Sequence, residues 1–150
     1  MRLTTTAFQP GGAIPARFTC DGDDVSPDLA WEDVPSEAAA LLLVVDDPDA
    51  RDFVHWTVLD MTSSETGALP AGISASPDGP RQGTNDFGRR GWGGPCPPSG
   101  RHRYRFTLYA LASPLNLPGE PRGSEVRRAL SLAAGQVLAQ ATLEGTYQRR

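Results

Sequence analysis

Residues 102–111 read HRYRFTLYAL and form the clearest predicted β-strand of the chain. Every second residue from Tyr104 to Ala110 is apolar, whereas the residues between them are arginine, threonine or tyrosine. Because successive side chains of a β-strand point to opposite faces, this alternation is typical of a strand with one buried face. His102 opens the strand, directly after a long segment rich in glycine and proline.

Two further strands are predicted upstream of this one. Ala38 to Val45 is an uninterrupted apolar run whose length and paired valines favour a buried strand, although its alanines leave a short helix open. Phe53 to Met61 is the second predicted strand. Its alternation assigns the side chains to two faces, with His55, Thr57 and Leu59 on one face and Val54, Trp56 and Val58 on the other.

The rest of the chain predicts loops and one helix. Residues 69–100 predict a long ordered loop, and such loops in a compact domain tend to be functional. Ser124 is a suitable N-cap for a helix that runs to about Gln140. The helix would present an apolar stripe made of Val126, Leu130, Ala133 and Val137. Thr142 to Tyr147 returns to a strand-like composition, so the sequence predicts a mainly β domain with one helix near the C-terminus.

Composition bounds the class of protein. The 150 residues suit one domain, and the net charge of −4, with arginine as the basic residue throughout, argues against a nucleic-acid partner. No apolar run is long enough to span a membrane and the N-terminus lacks a signal-peptide core, so cytoplasmic residence is predicted. In that reducing compartment the two cysteines are predicted to be free thiols.

Two histidines, at the mouths of two predicted strands, indicate a candidate pocket. His55 follows an acidic segment that contains Asp47, and His102 shares a strand face with Tyr104. A carboxylate beside an imidazole favours the protonated form, which suits an anionic ligand, and the glycines around Trp92 let backbone amides approach an anion. Each feature also has an ordinary structural interpretation as a strand-end histidine, a turn or a loop.

Resemblance to a known family adds specificity. Four segments resemble, in order, signatures of the phosphatidylethanolamine-binding proteins: DPDA at 47–50, HW at 55–56, GWGGPCPPSG at 91–100 and HRYRFTLYAL at 102–111. The segment FTCDG at 18–22 is similar to the N-terminal signature of the bacterial branch, often called Raf kinase inhibitor-like proteins. The resemblance covers essentially the whole chain.

The resemblance implies a fold and a site. The fold would be a large antiparallel sheet packed on a smaller sheet, with short peripheral helices besides the C-terminal helix. The ligand would be a phosphate or phosphoryl head group, held without a metal or cofactor, with residues 94–98 forming one wall and supplying backbone donors. The implied ligand-binding residues are Asp47, Asp49, His55, Trp92, Gly94, Pro95, Cys96, Pro97, His102 and Tyr104.

Some features of the chain depart from the family pattern or bear on its function. Trp92 replaces the usual tyrosine, and the single spacer Arg101 tilts His102 or brings Arg101 to the pocket rim. Cys20 and Cys96 lie in two signature segments and can approach each other, as thiols or as a reversible disulfide.

The resemblance also implies a protein partner, as in kinase or protease inhibition, and a homodimer. A hydrolase or other enzyme that uses the Asp/His/Cys96 pocket is the alternative, although the prolines around Cys96 leave no helix N-terminus to activate that thiol.

Overall fold

The fold consists of two antiparallel β-sheets and one α-helix, as described for residues 1–149 by a computed structural model. The smaller sheet has the order β1-β2-β5 and the larger sheet has the order β6-β4-β3-β7-β8. The strands are β1 (Arg2–Thr4), β2 (Leu29–Glu32), β3 (Ala40–Asp47), β4 (Phe53–Met61), β5 (Gly67–Leu69), β6 (Arg81–Gln82), β7 (Arg101–Leu111) and β8 (Val137–Gln148). The helix α1 spans Gly123–Leu132, and short 3-10 helices span Ala16–Phe18, Pro48–Ala50, Ile73–Ala75 and Ala134–Gln136. The mainly β architecture predicted from the sequence is confirmed.

The apolar run in β3 is explained by burial on both faces. Leu41, Leu43 and Val45 pack into the core between the two sheets, whereas Leu42 and Val44 pack into a second cluster beneath α1. A strand covered on both sides carries apolar residues at every position, not at every second one. The run is therefore a strand, as predicted, and the helix alternative is wrong.

The strand β4 contains a β-bulge that corrects the predicted faces. Asp46 of β3 pairs with Val54 of β4, but the next residue of β3, Val45, pairs with Trp56. The extra residue is His55, so both His55 and Trp56 lie on the inner side, whereas Val54 packs against α1. The prediction that Val54 and Trp56 share a face is wrong, because strict alternation holds only without an inserted residue.

The C-terminal helix is shorter than predicted. It ends at Leu132, and β8 begins at Val137 and pairs along its length with β7. Its first residue is Gly123, and the Glu125 carboxylate accepts a hydrogen bond from the Arg122 amide at 3.0 Å, so Ser124 is not the N-cap. Val137 packs in the same apolar cluster as the helix. The predicted apolar stripe therefore joined residues of the helix α1 with Val137 of β8, which pack against the same face of the large sheet.

Two cysteines join distant loops of the chain. Cys20 and Cys96 form a disulfide with their Cα atoms 5.5 Å apart, so the prediction of two free thiols is wrong. The two loops also bond directly, since the Cys20 amide donates to the Pro95 carbonyl at 3.2 Å and the Gly94 amide donates to Asp24 at 2.9 Å. These contacts hold the cysteines at bonding distance. Among the helices of residues 1–149, none has the length and apolar character needed to cross a membrane.

Candidate functional site

A small cavity lies at one end of the large sheet. β3 ends at Asp47, and β4 and β7 begin on either side of it because both run antiparallel to β3. The cavity has a volume of about 140 Å³. Its lining consists of Asp47, Ala50, Phe53, His55, Phe87, Cys96, Pro97, Pro98, His102 and Tyr104.

The polar centre of the cavity is a carboxylate–imidazole pair. The Oδ2 atom of Asp47 lies 2.5 Å from Nδ1 of His102, and its Oδ1 accepts the Asp49 amide at 2.8 Å. Asp47 is almost completely buried, with 2% of its surface exposed. A buried carboxylate requires donors, so Asp47 keeps a proton on Nδ1 of His102. The ring atom left for a ligand is Nε2.

His55 has a different environment. Its Nδ1 lies 2.6 Å from the Gly93 carbonyl oxygen, so this nitrogen carries the proton and donates. Burial lowers the pKa of His55 below its ordinary value, which favours the neutral ring. Its ring packs edge-on against Tyr104 at 5.2 Å between centroids. The sequence predicted a cationic role for both histidines, but burial opposes that role for His55.

Tyr104 supplies a hydroxyl group to the cavity. Burial, with further contributions from Asp47 and Asp49, raises the pKa of Tyr104, so the phenol stays protonated. Within residues 1–149 its hydroxyl has no hydrogen-bond partner. It is therefore available as a donor to a ligand.

The glycine-rich loop contributes a wall but few amide donors. The amides of Gly91 and Gly93 donate to the Gly83 and His55 carbonyls, both at 3.0 Å, and the Gly94 amide donates to Asp24. Proline has no amide hydrogen, so Pro95, Pro97 and Pro98 cannot donate either. The amides of Gly91, Gly93 and Gly94 are therefore used within the fold, and within residues 94–98 only the Cys96 amide has no such partner among residues 1–149.

Gly94 has a packing role. A Cβ atom at Gly94 would lie 2.2 Å from Oδ1 of Asp24 and 2.3 Å from the Phe18 carbonyl oxygen. Gly94 and Pro95 lie behind the wall, where they contact the N-terminal loop, while the lining comes from Cys96, Pro97 and Pro98. The glycine is required by close approach of the two loops and not by a ligand.

Trp92 belongs to the core and does not line the cavity. Its indole N–H donates to the Phe18 carbonyl at 3.2 Å, and its ring packs edge-on against Trp56 at 5.5 Å. With 8% of its surface exposed, it lies between the sheets. The prediction that the Trp92 indole binds the ligand in place of the family's tyrosine is therefore wrong, because its N–H already donates to Phe18.

Asp49 and Arg101 also lie outside the lining. Asp49 accepts hydrogen bonds from the Arg103 backbone at 2.8 Å and from its guanidinium at 2.9 Å. These bonds lower the pKa of Asp49 to about 2. Arg101 lines a neighbouring groove and not the rim of this cavity.

Sequence reasoning missed three lining residues, namely Ala50, Phe53 and Phe87, whereas Pro98 belongs to the predicted wall of residues 94–98. Phe53 is the cross-strand partner of Asp47, so knowledge of the register would have found it. Phe87 packs edge-on against Phe53 at 4.7 Å, and 44% of its surface is exposed at the cavity mouth. No local pattern marks Phe87, because it reaches the cavity from within the long loop.

Cys96 reaches the cavity as half of the disulfide. Its sulfur is bonded to Cys20 and carries no thiolate, and only a thiolate acts as a nucleophile. The cysteine hydrolase alternative is thus not available to the protein in this state.

Comparison with known proteins gives consistent relatives. The sequence model described as phosphatidylethanolamine-binding protein matches residues 4–148. A protein named UPF0098 protein from Methanothermobacter thermautotrophicus is 46% identical, and the match covers 99% of both chains. A Mycobacterium tuberculosis relative provisionally named lipoprotein LppC is 40% identical over 99% of this chain and 72% of its own length.

Two solved structures share the fold. A phosphatidylethanolamine-binding protein homologue from Chlamydia trachomatis has a TM-score of 0.86 and 35% identity, covering 99% of this chain and 97% of its own. YbcL from Escherichia coli, described as a member of the mammalian family of these proteins, has a TM-score of 0.86 and 28% identity, covering 99% and 98%. Both matches extend over the strands that build the cavity.

Proposed function

The chain belongs to the phosphatidylethanolamine-binding protein family, and from that membership we propose that it binds a small phosphoryl or other anionic group in the cavity at the ends of β3, β4 and β7. The family consists of small binding proteins. The cavity volume of about 140 Å³ is below the range of about 300–1,000 Å³ typical of whole-ligand pockets. It suits a head group, and the remainder of a larger ligand would lie outside.

The observation that carries the proposal is the Asp47–His102 pair. Asp47 fixes the Nδ1 proton, which leaves Nε2 of His102 as the ring atom for a ligand. When Nε2 is also protonated, it donates a charge-assisted hydrogen bond to an anion while Asp47 balances the ring charge. The free hydroxyl of Tyr104 provides a second donor from the same strand.

Apolar side chains surround these donors. Phe53, Phe87 and Pro97 line the cavity together with the ring of Tyr104. A few polar groups in an apolar lining are typical of small-molecule sites, where the polar groups orient the ligand. The surrounding rings exclude water and so strengthen each hydrogen bond to the ligand.

The test is calorimetric titration with O-phosphorylethanolamine and with glycerophosphorylethanolamine, whose phosphodiester keeps its charge across neutral pH. We expect His102→Gln to weaken binding about tenfold to a hundredfold, the usual cost of a lost hydrogen bond to a charged group. Arg128→Gln, which removes an exposed cation from α1, is the matched control and should leave binding unchanged. Binding that His102→Gln leaves intact would contradict the proposal.

The pH dependence of binding gives a second readout. A site that depends on imidazolium loses affinity as the pH rises from about 6 to about 8. Since burial favours the neutral form of His55, the loss should persist in His55→Gln. A flat profile in the unaltered protein would show that neutral donors alone hold the ligand.

Regulation of a protein partner, homodimerisation and cytoplasmic residence stay predictions. Two observations argue for an oxidising compartment instead of the cytoplasm. The Cys20–Cys96 disulfide is of a kind that persists in oxidising compartments, and the mycobacterial relative carries a lipoprotein name.

A further inference from the structure

The outer strands of the two sheets differ in how well their free edges are covered. β1, β5 and β6 have only two or three residues each, and such short strands offer few backbone groups to another chain. β8 is longer and pairs with β7 on one side. On its other side, residues 11–14, which we call the covering segment, bond Glu144 and Thr146. Residues 139–143 of β8 have no strand beside them on that side within residues 1–149, and we call them the open edge.

Two residues of the open edge direct their backbone polar groups out of the sheet. The Thr146 amide donates to the Gly12 carbonyl at 2.8 Å and the Thr146 carbonyl accepts the Ile14 amide at 2.7 Å, so Thr146 faces away from β7. This direction repeats at every second residue of an antiparallel ladder, and the register with β7 is uninterrupted here. Gln140 and Thr142 therefore also face away from β7. Both residues are exposed, and their N–H and C=O groups have no hydrogen-bond partner among residues 1–149.

The open edge lacks the features that protect the edge strands of monomeric proteins. Charged residues and proline usually provide this protection, because both oppose the addition of another strand. Residues 137–143 read VLAQATL and contain neither. Two of the three exposed large apolar side chains in the described part of the chain also lie here, since Leu138 is 42% exposed and Leu132, the last residue of α1, is 82% exposed. This surface favours burial against a partner.

The open edge is symmetric about Ala141. A β-bulge at Leu138 ends the regular ladder on one side, and the covering segment begins at Glu144 on the other. A second copy that runs antiparallel about a two-fold axis through Ala141 places Gln140 of one copy opposite Thr142 of the other. Each such pair can exchange two backbone hydrogen bonds. No charged side chain meets its own copy across the axis, because Glu144 lies opposite Leu138.

We propose that the open edge of β8 is the interface of a two-fold homodimer, in which the large sheets of two copies join into one continuous sheet. A second copy fits better than a foreign strand because the outward-facing groups of the edge are matched by themselves under the two-fold axis. Leu138 of one copy packs against the covering segment of the other, and this contact ends the paired stretch. Ala141 pairs with Leu108 whereas His102 pairs with Tyr147, so the interface is separate from the ligand cavity and does not depend on the proposed function.

The test is sedimentation velocity at increasing protein concentration, which measures the monomer–dimer equilibrium. Thr142→Pro removes an N–H that faces away from β7, so the ladder with β7 keeps its hydrogen bonds. We expect this change to weaken the dimer about tenfold to a hundredfold, since each copy loses one donor at the interface. Thr142→Val is the matched control, because it keeps the N–H and suits a strand. It should leave the dissociation constant unchanged.

A direct readout protects the test against misfolding of Thr142→Pro. In the unaltered protein, hydrogen exchange of the Gln140 and Thr142 amides should slow as the protein concentration rises. Exchange of the exposed Ser99 amide should not change.

Three outcomes would overturn the proposal. The first is a protein that stays monomeric at every concentration, with exchange at Gln140 and Thr142 independent of concentration. The second is a dimer that a folded Thr142→Pro leaves intact, which would place the interface elsewhere. The third is a monomer in which an added hexapeptide of alternating valine and threonine slows exchange of these two amides. That result would assign the open edge to a strand from another protein.

Discussion

At the scale of single residues, the first hydrogen bond of each histidine decides its role. His102 donates to the carboxylate of Asp47, which stabilises a positive ring, whereas His55 donates to a backbone carbonyl in a buried position. The two residues resemble each other in the sequence, since both stand near a strand mouth. Their chemistry differs because the β-bulge directs the His55 ring into aromatic surroundings.

His55 predicts how stability depends on pH. Burial holds its folded-state pKa below the ordinary value of about 6.5, so the unfolded chain binds more protons below that pH. The contribution of His55 to stability is therefore fully present above about pH 6.5 and is lost as the pH falls. We expect the free energy of unfolding to decrease between pH 7 and pH 5, and to decrease less in His55→Gln. Urea titrations at pH 7, 6 and 5 measure this, and parallel profiles for the two proteins would contradict it.

At the scale of elements, the helix α1 depends on close approach to the large sheet. Val126 is fully buried against the outer face of the sheet, and Asp46 of β3 bonds Arg127 of the helix at 2.5 Å. The first residue, Gly123, lies so close to β4 that an added Cβ would be 2.7 Å from the Val54 side chain. The helix position is therefore set by packing at its start more than by its length.

Two glycine substitutions test this contact. Gly123→Ala should destabilise the protein by about 1–3 kcal/mol, because the new methyl group overlaps the buried Val54 side chain. Gly135→Ala is the matched control, since nothing lies within 4 Å of its added Cβ and the residue is exposed. The control should be neutral or slightly stabilising. Equal free energies of unfolding for both variants in urea would refute the close-packing argument.

At the scale of the whole molecule, the loop that contains Phe18, Cys20 and Asp24 supports the wall of the cavity without lining it. The disulfide spans 76 residues of sequence and joins this loop to the wall of the cavity at the ends of β3, β4 and β7. Hydrogen bonds from Trp92 and Gly94 to Phe18 and Asp24 make the same connection. The position of Pro97 and Pro98 in the cavity wall therefore depends on residues that are distant in sequence.

The disulfide gives a prediction for the whole fold. A crosslink that closes a loop of this length stabilises a protein by about 4 kcal/mol in the chain-entropy account, so reduction should lower the melting temperature by roughly 10 °C. The Cys20→Ser/Cys96→Ser variant should melt near the reduced protein and should not respond to reductant. Thiol titration of the denatured, unreduced protein should find no free thiol. Two free thiols would contradict the crosslink.

Local sequence patterns predicted the four long strands of the large sheet and several members of the site, but none of the short strands β1, β2, β5 and β6. Alternation in β7, the apolar run in β3 and the composition of β4 are local patterns, and local patterns report which side chains are buried. Asp47, His55, Cys96, Pro97, His102 and Tyr104 were named from the sequence and line the cavity.

The remaining features follow from how separate elements of the chain pack together. Contacts between residues far apart in sequence place Trp92 in the core, pair His102 with Asp47 and join Cys20 to Cys96. Such contacts also set the end of the helix α1. The bulge at His55 is a matter of register between β3 and β4, and a single strand carries no record of its partner's register. The physical reason is the same throughout. Periodicity depends on near neighbours along the chain, whereas hydrogen-bond partners and cavities depend on how separate elements pack.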